Sequence, residues 1–491
     1  MNSGLTSTRK KINKTDHQKT PIATALKSEC ALSAIPLDVP GHKGNIAELK
    51  NFYGEELLKL DKNSRPSIDN LCQPTGVIKE AEELVADAFG AENAFFMVNG
   101  TTSTVQVMVM SAVNPGEKII MPRNVHVSVI NAVILAGGIP VYVDPDVHEK
   151  YGIPLGMKIK DVKNAIAQNR EATAILVNNP TYYGVCSDLK QIVELAHQNN
   201  MKVLVDEAHG THFYFGENMP ISAMQAGADF SAVSMHKTGG SLTQTSFLLT
   251  NNGVDVDYVR KIINLTMTTS ASYLLLSSLD IARKNLVLCG KEIFARLCGW
   301  VSESIDKINQ INGLEVLSSS NMLNGDSVYA FDPTKLAVNT SGIGLAGIEV
   351  YNILREKYNI QLEFGDISNI LALPAVGDDK NYGMILADAL LDISKKYGRN
   401  SRPVYYYEYI KPVVKIPPRD AFYYPKESVL LKDSIGRISG EYVMCYPPGI
   451  PLLAPGELIT EQILSHIEYI KQKGCKIIGG SGERDTLTVI K

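Results

Sequence analysis

The sequence predicts an α/β protein, with a mainly parallel seven-stranded sheet covered by helices on both faces and a smaller α+β region after it. Two observations carry this. Between Asn93 and Thr250 a pattern repeats: a short β-branched apolar run, then small or polar residues, then a helical stretch. Strands that alternate with helices favour a parallel sheet, because each crossover has to return the chain to the same end. After about residue 300 the alternation stops and shorter, mixed elements take over.

Residues 1–20 are polar and basic and are expected to form a disordered tail. Residues 21–85 read as an N-terminal arm with helices, 86–300 as the large domain and 301–491 as the C-terminal α+β region. The strand candidates of the large domain are NAFFMV, KIIMP, IPVYVD, TAILVN, KVLVDE, FSAVSM and SFLLT. SDLKQIVELAHQNN lies between two of them, with Leu189, Ile192, Val193 and Ala196 at helical spacing and Ser187 placed to cap the start. In the last region VSESIDKINQIN and ITEQILSHIEYIKQKG are helical, separated by a Pro- and Gly-rich stretch.

Bulk composition narrows the function classes. With 45% apolar and 20% charged residues the chain is an ordinary soluble globular protein. A net charge of −4 gives no reason to expect nucleic acid or an anionic membrane as partner. The seven cysteines are scattered, without CxxC, which reads as reduced thiols in a cytoplasmic protein. The N-terminus lacks the apolar core of a secretion signal, and NAVILAGGIPVYV is too short to span a bilayer.

In parallel sheets ligands collect beyond the carboxyl ends of the strands. NAFFMV is followed by Asn99-Gly100-Thr101-Thr102-Ser103, and KIIMP by Arg123, Asn124 and His126. TAILVN leads into Asn179-Pro180-Thr181-Tyr182, KVLVDE carries Asp206 with His209 beyond it, and FSAVSM leads into His236-Lys237. The 31 positions from Asp206 to Lys237 (237 − 206) match one strand–helix–strand unit of about 30 residues. One rim therefore gathers the reactive side chains.

Each part alone has a plain reading as well. NGTTS is a phosphate cradle at a helix N-terminus or an ordinary polar turn; it lacks the GxxxxGK[ST] spacing of a nucleoside-triphosphate loop. Asp206 alone reads as a capping or salt-bridged carboxylate, and His126 as a structural histidine. Asp206, Glu207, His209 and His212 match no metal-ligand spacing, and no metal is expected. Together the parts suit pyridoxal 5′-phosphate. That cofactor needs a lysine to join its aldehyde, a carboxylate facing its ring nitrogen, a flat group on the ring and a cradle for the phosphate.

The sequence also resembles the ornithine/lysine/arginine decarboxylase family of fold-type-I pyridoxal-phosphate enzymes. The resemblance rests on SxHK followed by a small-residue run ending in Gln244-Thr245-Ser246, on VPGHKG (39–44), PTGVIKEAEELVADAFGAENAFF (74–96), PRNVH (122–126) and NNPTYYGV (178–185). It extends through VDEAHGTH (205–212), TMTTSASYLLLSSLD (266–280) and YPPGIPLLAPGE (446–457). The length is similar to the short form of the family, many of whose members are arginine decarboxylases. The resemblance implies decarboxylation of a basic amino acid, arginine first and then lysine or ornithine, in the cytoplasm, within polyamine biosynthesis or acid consumption.

It also implies roles. Lys237 would join the cofactor, Asp206 would pair with the ring nitrogen, and His126 would stack on the ring with His209 beside it. Thr101, Thr102, Ser234 and His236 would contact or place the phosphate. The enzyme would be a homodimer or higher oligomer, with Thr268-Thr269-Ser270 donated to the neighbouring subunit's phosphate site. Glu441 and Glu457 are similar to positions near the substrate entrance, or are two solvated carboxylates. Where many short-form members have a histidine pair before PTG, this chain has Leu71-Cys72-Gln73-Pro74, and Val127 replaces a common lysine. The resemblance implies that both departures would reshape the substrate pocket. The rival expectations are another fold-type-I enzyme, an aminotransferase or carbon–carbon lyase, and a non-catalytic regulatory copy.

Overall fold

The computed structural model describes residues 12–32, 34–399, 409–445, 449–479 and 486–491. Residues 1–11 of the expected tail, and Tyr446, Pro447 and Pro448 of the last family motif, lie outside the described residues.

All seven expected strands form one sheet: β1 (Asn93–Met97), β2 (Lys118–Pro122), β3 (Ile139–Val143), β4 (Ala174–Asn178), β5 (Lys202–Asp206), β6 (Phe230–Val233) and β7 (Ser246–Thr250). Their spatial order is β1-β7-β6-β5-β4-β2-β3, and β7 alone runs against the rest. The central strands are buried along almost their whole length, as expected of a sheet with both faces covered. In register, Asn178 lies beside Asp206 and Asp206 beside Ala232. With neighbouring strands about 4.8 Å apart, β4, β5 and β6 end side by side on one rim.

Helices lead off this rim. Gly100–Ala112 (α2) follows β1, and Gly100 at φ +71° makes the turn between them, its N–H donating to the Gln244 carbonyl (2.8 Å). Val127–Ala136 (α3) is apolar nearly all round and is correspondingly buried, packed against α2. Leu189–Gln198 (α4) buries Leu189, Ile192, Val193 and Ala196 as its spacing predicts. Its cap is Asp188, not Ser187: the Asp188 carboxylate accepts the Gln191 N–H (3.1 Å). Ser187 is buried, and its hydroxyl accepts the Met157 N–H (2.9 Å) instead.

The helix Pro21–Cys30 (α1) buries Ile22 and Leu26 in the large-domain core. The described part of the expected tail is tied down, not disordered. Arg283 donates to the carbonyls of His17 (3.0 Å) and Lys19 (2.5 Å), and His17 is buried. Both anchors come from the 37-residue helix Tyr273–Asn309 (α5), whose Asp280 also accepts the Ile22 N–H (2.9 Å). The expected boundary at 300 falls inside α5, where no linker exists. Trp300 and Val301 still pack in the first core, and Ile308 opens a second.

The C-terminal region is α+β. A four-stranded antiparallel sheet (315–316, 336–339, 364–365, 369–372) packs with Gly347–Lys357 and Tyr382–Tyr397 around the second core. A last unit holds the strands Val443–Cys445 and Ile450–Leu453 and the helix Glu461–Gln472. Among the described residues no helix is long and apolar enough to cross a membrane.

Candidate active site

The rim of β4, β5 and β6 opens into a cavity of about 520 Å³, the size of a cofactor pocket. Its walls include Thr101, Thr102, His126, Tyr182, Asp206, His209, Ser234, His236, Lys237 and Glu363. Eight of these ten have a role expected from the sequence; Tyr182 and Glu363 do not.

Asp206 ends β5 and is 6% exposed, its carboxylate accepting the Ala208 N–H (3.3 Å). Burial pushes its pKa up, and the Lys237 ammonium across the cavity pulls it back. Lys237 sits in the single turn Met235–Thr238 that follows β6. Burial lowers its pKa to about 8, with Asp206 opposing the shift. Lys237 therefore gives up its proton far more readily than an ordinary lysine and is half free amine, the nucleophilic form, at about pH 8.

The imidazoles on the walls are held uncharged. Lys237 Nζ lies 2.7 Å from His209 Nε2, and burial together with Lys237 drives the His209 pKa well below its ordinary value. His126 caps α3, its Nδ1 accepting the Ser128 N–H (3.2 Å), so its neutral ring carries the proton on Nε2. Burial and Lys237 lower its pKa to about 4.

At the other end of the cavity is the N-terminus of α2, where Thr101 and Thr102 meet the start of a thirteen-residue helix. Backbone N–H groups and the helix dipole there favour an anion. Thr101 donates to Ser246 Oγ (3.2 Å), and His236 Nδ1 lies 3.3 Å from Ser234 Oγ and 3.1 Å from the Thr245 carbonyl. An amine and a carboxylate facing each other, flat imidazoles and an anion cradle in one cavity fit the pyridoxal phosphate donor set.

Tyr182, in the loop after β4, packs against His209 with ring centroids 4.2 Å apart and ring planes tilted by 52°, and its hydroxyl donates to Glu363. The rim pattern already brought Tyr182 into view after TAILVN. Glu363 had no such signal, since it enters from the C-terminal region 181 positions away. Lys335 and Asp332, also from that region, lie buried behind His209.

Other expected positions are elsewhere in this chain. Glu457 is buried and gives both carboxylate oxygens to Arg123 (2.9 and 3.0 Å), and Glu441 accepts the Thr488 N–H; neither lines the cavity. Thr268, Thr269 and Ser270 are exposed and also off the cavity. The Leu71 and Cys72 carbonyls accept from Arg260 (3.1 Å) and Asn264 (2.9 Å), and Val127 donates its N–H to Gly449 (2.9 Å), so neither departure touches the cavity wall. Glu207 points into the core, accepting from Tyr214 (2.5 Å), Ser231 (2.7 Å) and the Ala223 N–H (2.9 Å), with burial raising its pKa to about 7. His212 is engaged by Asp332 (3.0 Å). Among the described residues no three His, Cys, Asp or Glu are grouped to hold a metal ion.

The sheet order and the lysine one strand away from a buried carboxylate define the fold-type-I class of pyridoxal-phosphate enzymes. Solved structures agree on the fold. The constitutive lysine decarboxylase of E. coli superposes with a TM-score of 0.82 at 19% identity, over 97% of this chain and 82% of that one. The Francisella novicida lysine decarboxylase LdcF superposes with a TM-score of 0.84 at 20% identity, over 96% and 81%. Family models match the Orn/Lys/Arg decarboxylase major domain over residues 20–382 and its C-terminal domain over 408–476. The arginine decarboxylase of Bacillus subtilis (strain 168) is 41% identical over 96% of this chain and 97% of its own length. The chain belongs to the Orn/Lys/Arg decarboxylase family, and it is a decarboxylase.

Proposed function

We propose that this chain binds pyridoxal 5′-phosphate and decarboxylates a basic amino acid, arginine before lysine or ornithine, releasing CO₂ and agmatine or a diamine. The observation that carries this is the placement of Lys237 and Asp206 in one cavity at the end of adjacent strands. Lys237 would hold the aldehyde end, Asp206 the ring nitrogen and His126 a ring face. Thr101, Thr102, Ser234 and His236 would hold the phosphate at the N-terminus of α2. When bound, the cofactor supplies a sink for the electron pair left as the Cα–carboxylate bond breaks.

The chain's own residues do the remaining work. The anionic form of Asp206 keeps a positive charge opposite it stable. His209 and Lys237, 2.7 Å apart, form a pair that can keep and return one proton. Glu363, the only lining carboxylate besides Asp206 among the described residues, suits the cationic end of the substrate, with Tyr182 steadying it.

What this chain leaves exposed supports an oligomer. Ile35, Leu37 and Phe52 of the arm are at least 80% exposed, and Leu265 beside Thr268–Ser270 is 72% exposed. A second copy would cover them, making a homodimer or a larger assembly in which Ser270 reaches the partner's phosphate site. Residues 21–85 would form the arm, the cofactor-binding domain would run from 86 into α5, and the residues beyond α5 would form the region that closes over the substrate. The setting is cytoplasmic, in polyamine synthesis or acid consumption.

Purified protein loaded with pyridoxal phosphate should release CO₂ and agmatine from arginine faster than it acts on lysine or ornithine. A keto acid formed with an amino acceptor would overturn the reading in favour of an aminotransferase. Protein that stays colourless with the cofactor would overturn it in favour of a non-catalytic copy.

A further inference from the structure

His209 stands between two lysines. Lys237 Nζ is 2.7 Å from its Nε2 and Lys335 Nζ is 3.5 Å from its Nδ1. Lys335 is 2% exposed and belongs to the C-terminal region, 3.9 Å from Asp332 Oδ2. Asp332 is fully buried and accepts from the Thr334 N–H (2.9 Å), the Thr334 hydroxyl (2.7 Å) and His212 Nε2 (3.0 Å). Burial opposes its ionisation, but His212 and Lys335 hold its carboxyl down to about 2. A buried carboxylate demands a compensating cation, and Lys335 is within ion-pair reach of it.

We infer that Lys335 is a positioning residue: it fixes His209 as the neutral Nε2–H tautomer and so holds Lys237 as the free amine. The argument is one of donors and acceptors. Burial lowers the Lys335 pKa, while the Asp332 carboxylate 3.9 Å away, and Glu363 after it, favour its ammonium form; an ammonium has three donors and no lone pair, so His209 Nδ1 accepts from Lys335. The one proton of the neutral ring then sits on Nε2 and points at Lys237 Nζ, which must meet it with a lone pair. In the opposite arrangement a charged Lys237 donates to Nε2, and Nδ1–H confronts the Lys335 ammonium donor to donor. This rests on the proposed function only in that Lys237 is the residue that joins the aldehyde.

The other charged groups around the pair do not replace Lys335. Asp206 and Glu363 favour the ammonium form of Lys237, and Lys335 opposes it. His126 and His212 act on His209 in the same direction as the two lysines, against a ring charge. Tyr182 faces His209 by its ring.

The test uses the full-length chain stripped of cofactor, with pyridoxal phosphate added at a series of pH values. Coupling at Lys237, in which Nζ adds to the aldehyde carbon and water leaves, is followed by its visible absorbance. The unsubstituted chain should couple at half its maximal rate near pH 8. In Lys335→Met the midpoint should rise by about one pH unit, a roughly tenfold slower coupling below it. In a His209→Asn background the same Lys335→Met change should add nothing. An equal rise with and without His209 would mean plain charge repulsion and would overturn the inference, as would no rise at all. Should Lys335→Met fail to fold, ¹⁵N NMR of the unsubstituted chain decides: a proton on His209 Nε2 and a bare Nδ1 is expected, and a proton on Nδ1 sinks the assignment. Absence of any coupling at Lys237 in the unsubstituted chain would instead strike the proposed function itself, with the tautomer still read by NMR.

Discussion

Arg123 and Glu457, 334 positions apart in sequence, form a buried two-point ion pair, with Arg123 Nε 2.9 Å from Oε1 and Nη2 3.0 Å from Oε2. Arg123 also donates to the Pro451 carbonyl (2.8 Å), and Glu457 accepts the Ala454 N–H (2.8 Å). The pair thus clamps the segment around Ile450, which lines the cavity, onto the loop that carries His126. A carboxylate so fully engaged has no oxygen left for a substrate cation.

Breaking this clamp should cost stability before chemistry. Glu457→Gln leaves a guanidinium buried without its counter-charge, a change worth about 3–5 kcal/mol in such settings. Urea unfolding should show that loss, and Arg123→Met combined with Glu457→Leu should be more stable than either single variant. Full retention of stability in Glu457→Gln would mean that the pair is solvated in solution.

Acid sensitivity should trace partly to His126. Its pKa is about 4 in the folded chain and near the ordinary 6.5 when unfolded. Between those values the unfolded state binds a proton that the folded state refuses, so stability rises with pH across the window and falls on acidification. His126→Phe removes this contribution, on the order of 3 kcal/mol at full titration. The difference in unfolding free energy between pH 7 and pH 4.5 should therefore shrink in the variant. An unchanged difference would show that the imidazole is open to water.

Glu363→Gln should act on substrate binding. Losing one charge-assisted hydrogen bond costs about 1.5–3 kcal/mol, or roughly ten- to hundredfold in KM, with kcat changed much less. Steady-state kinetics on the preferred basic amino acid separate the two. A fall in kcat at constant KM would move Glu363 from substrate recognition to the chemistry at Lys237.

What was legible in the sequence divides by range. The strands and the rim residues Asp206, His126 and Lys237 could be read because each is a local event, an apolar run followed by what the chain carries at its end. Glu363 and Lys335 were not legible, since they reach the cavity from a region distant in sequence and sit in segments with no local mark of chemistry. The cap of α4 was misplaced by one residue because Ser187 and Asp188 are both capping residues, and the buried Met157 N–H claimed the serine. In the sequence Glu457 reads as a substrate group or a solvated carboxylate, because nothing local to it announces Arg123.

The exposed segment Thr268–Ser270 makes the strongest claim about assembly, since it lies off this chain's own cavity yet follows a helix that ends in an exposed Leu265. If its hydroxyls complete the partner's phosphate site, two inactive proteins can rescue one another. Lys237→Ala should lose about 10²–10⁴-fold in turnover, having neither the amine nor the proton carrier. A chain with Thr268, Thr269 and Ser270 all changed to alanine should bind the cofactor weakly. After joint unfolding and refolding in equal amounts, half the dimers are mixed, and each mixed dimer holds one site with Lys237 and the hydroxyls both intact. Activity should then recover to about a quarter of that of the unsubstituted enzyme. If each subunit builds its site alone, mixing cannot restore anything, and activity will stay at the average of the two parents.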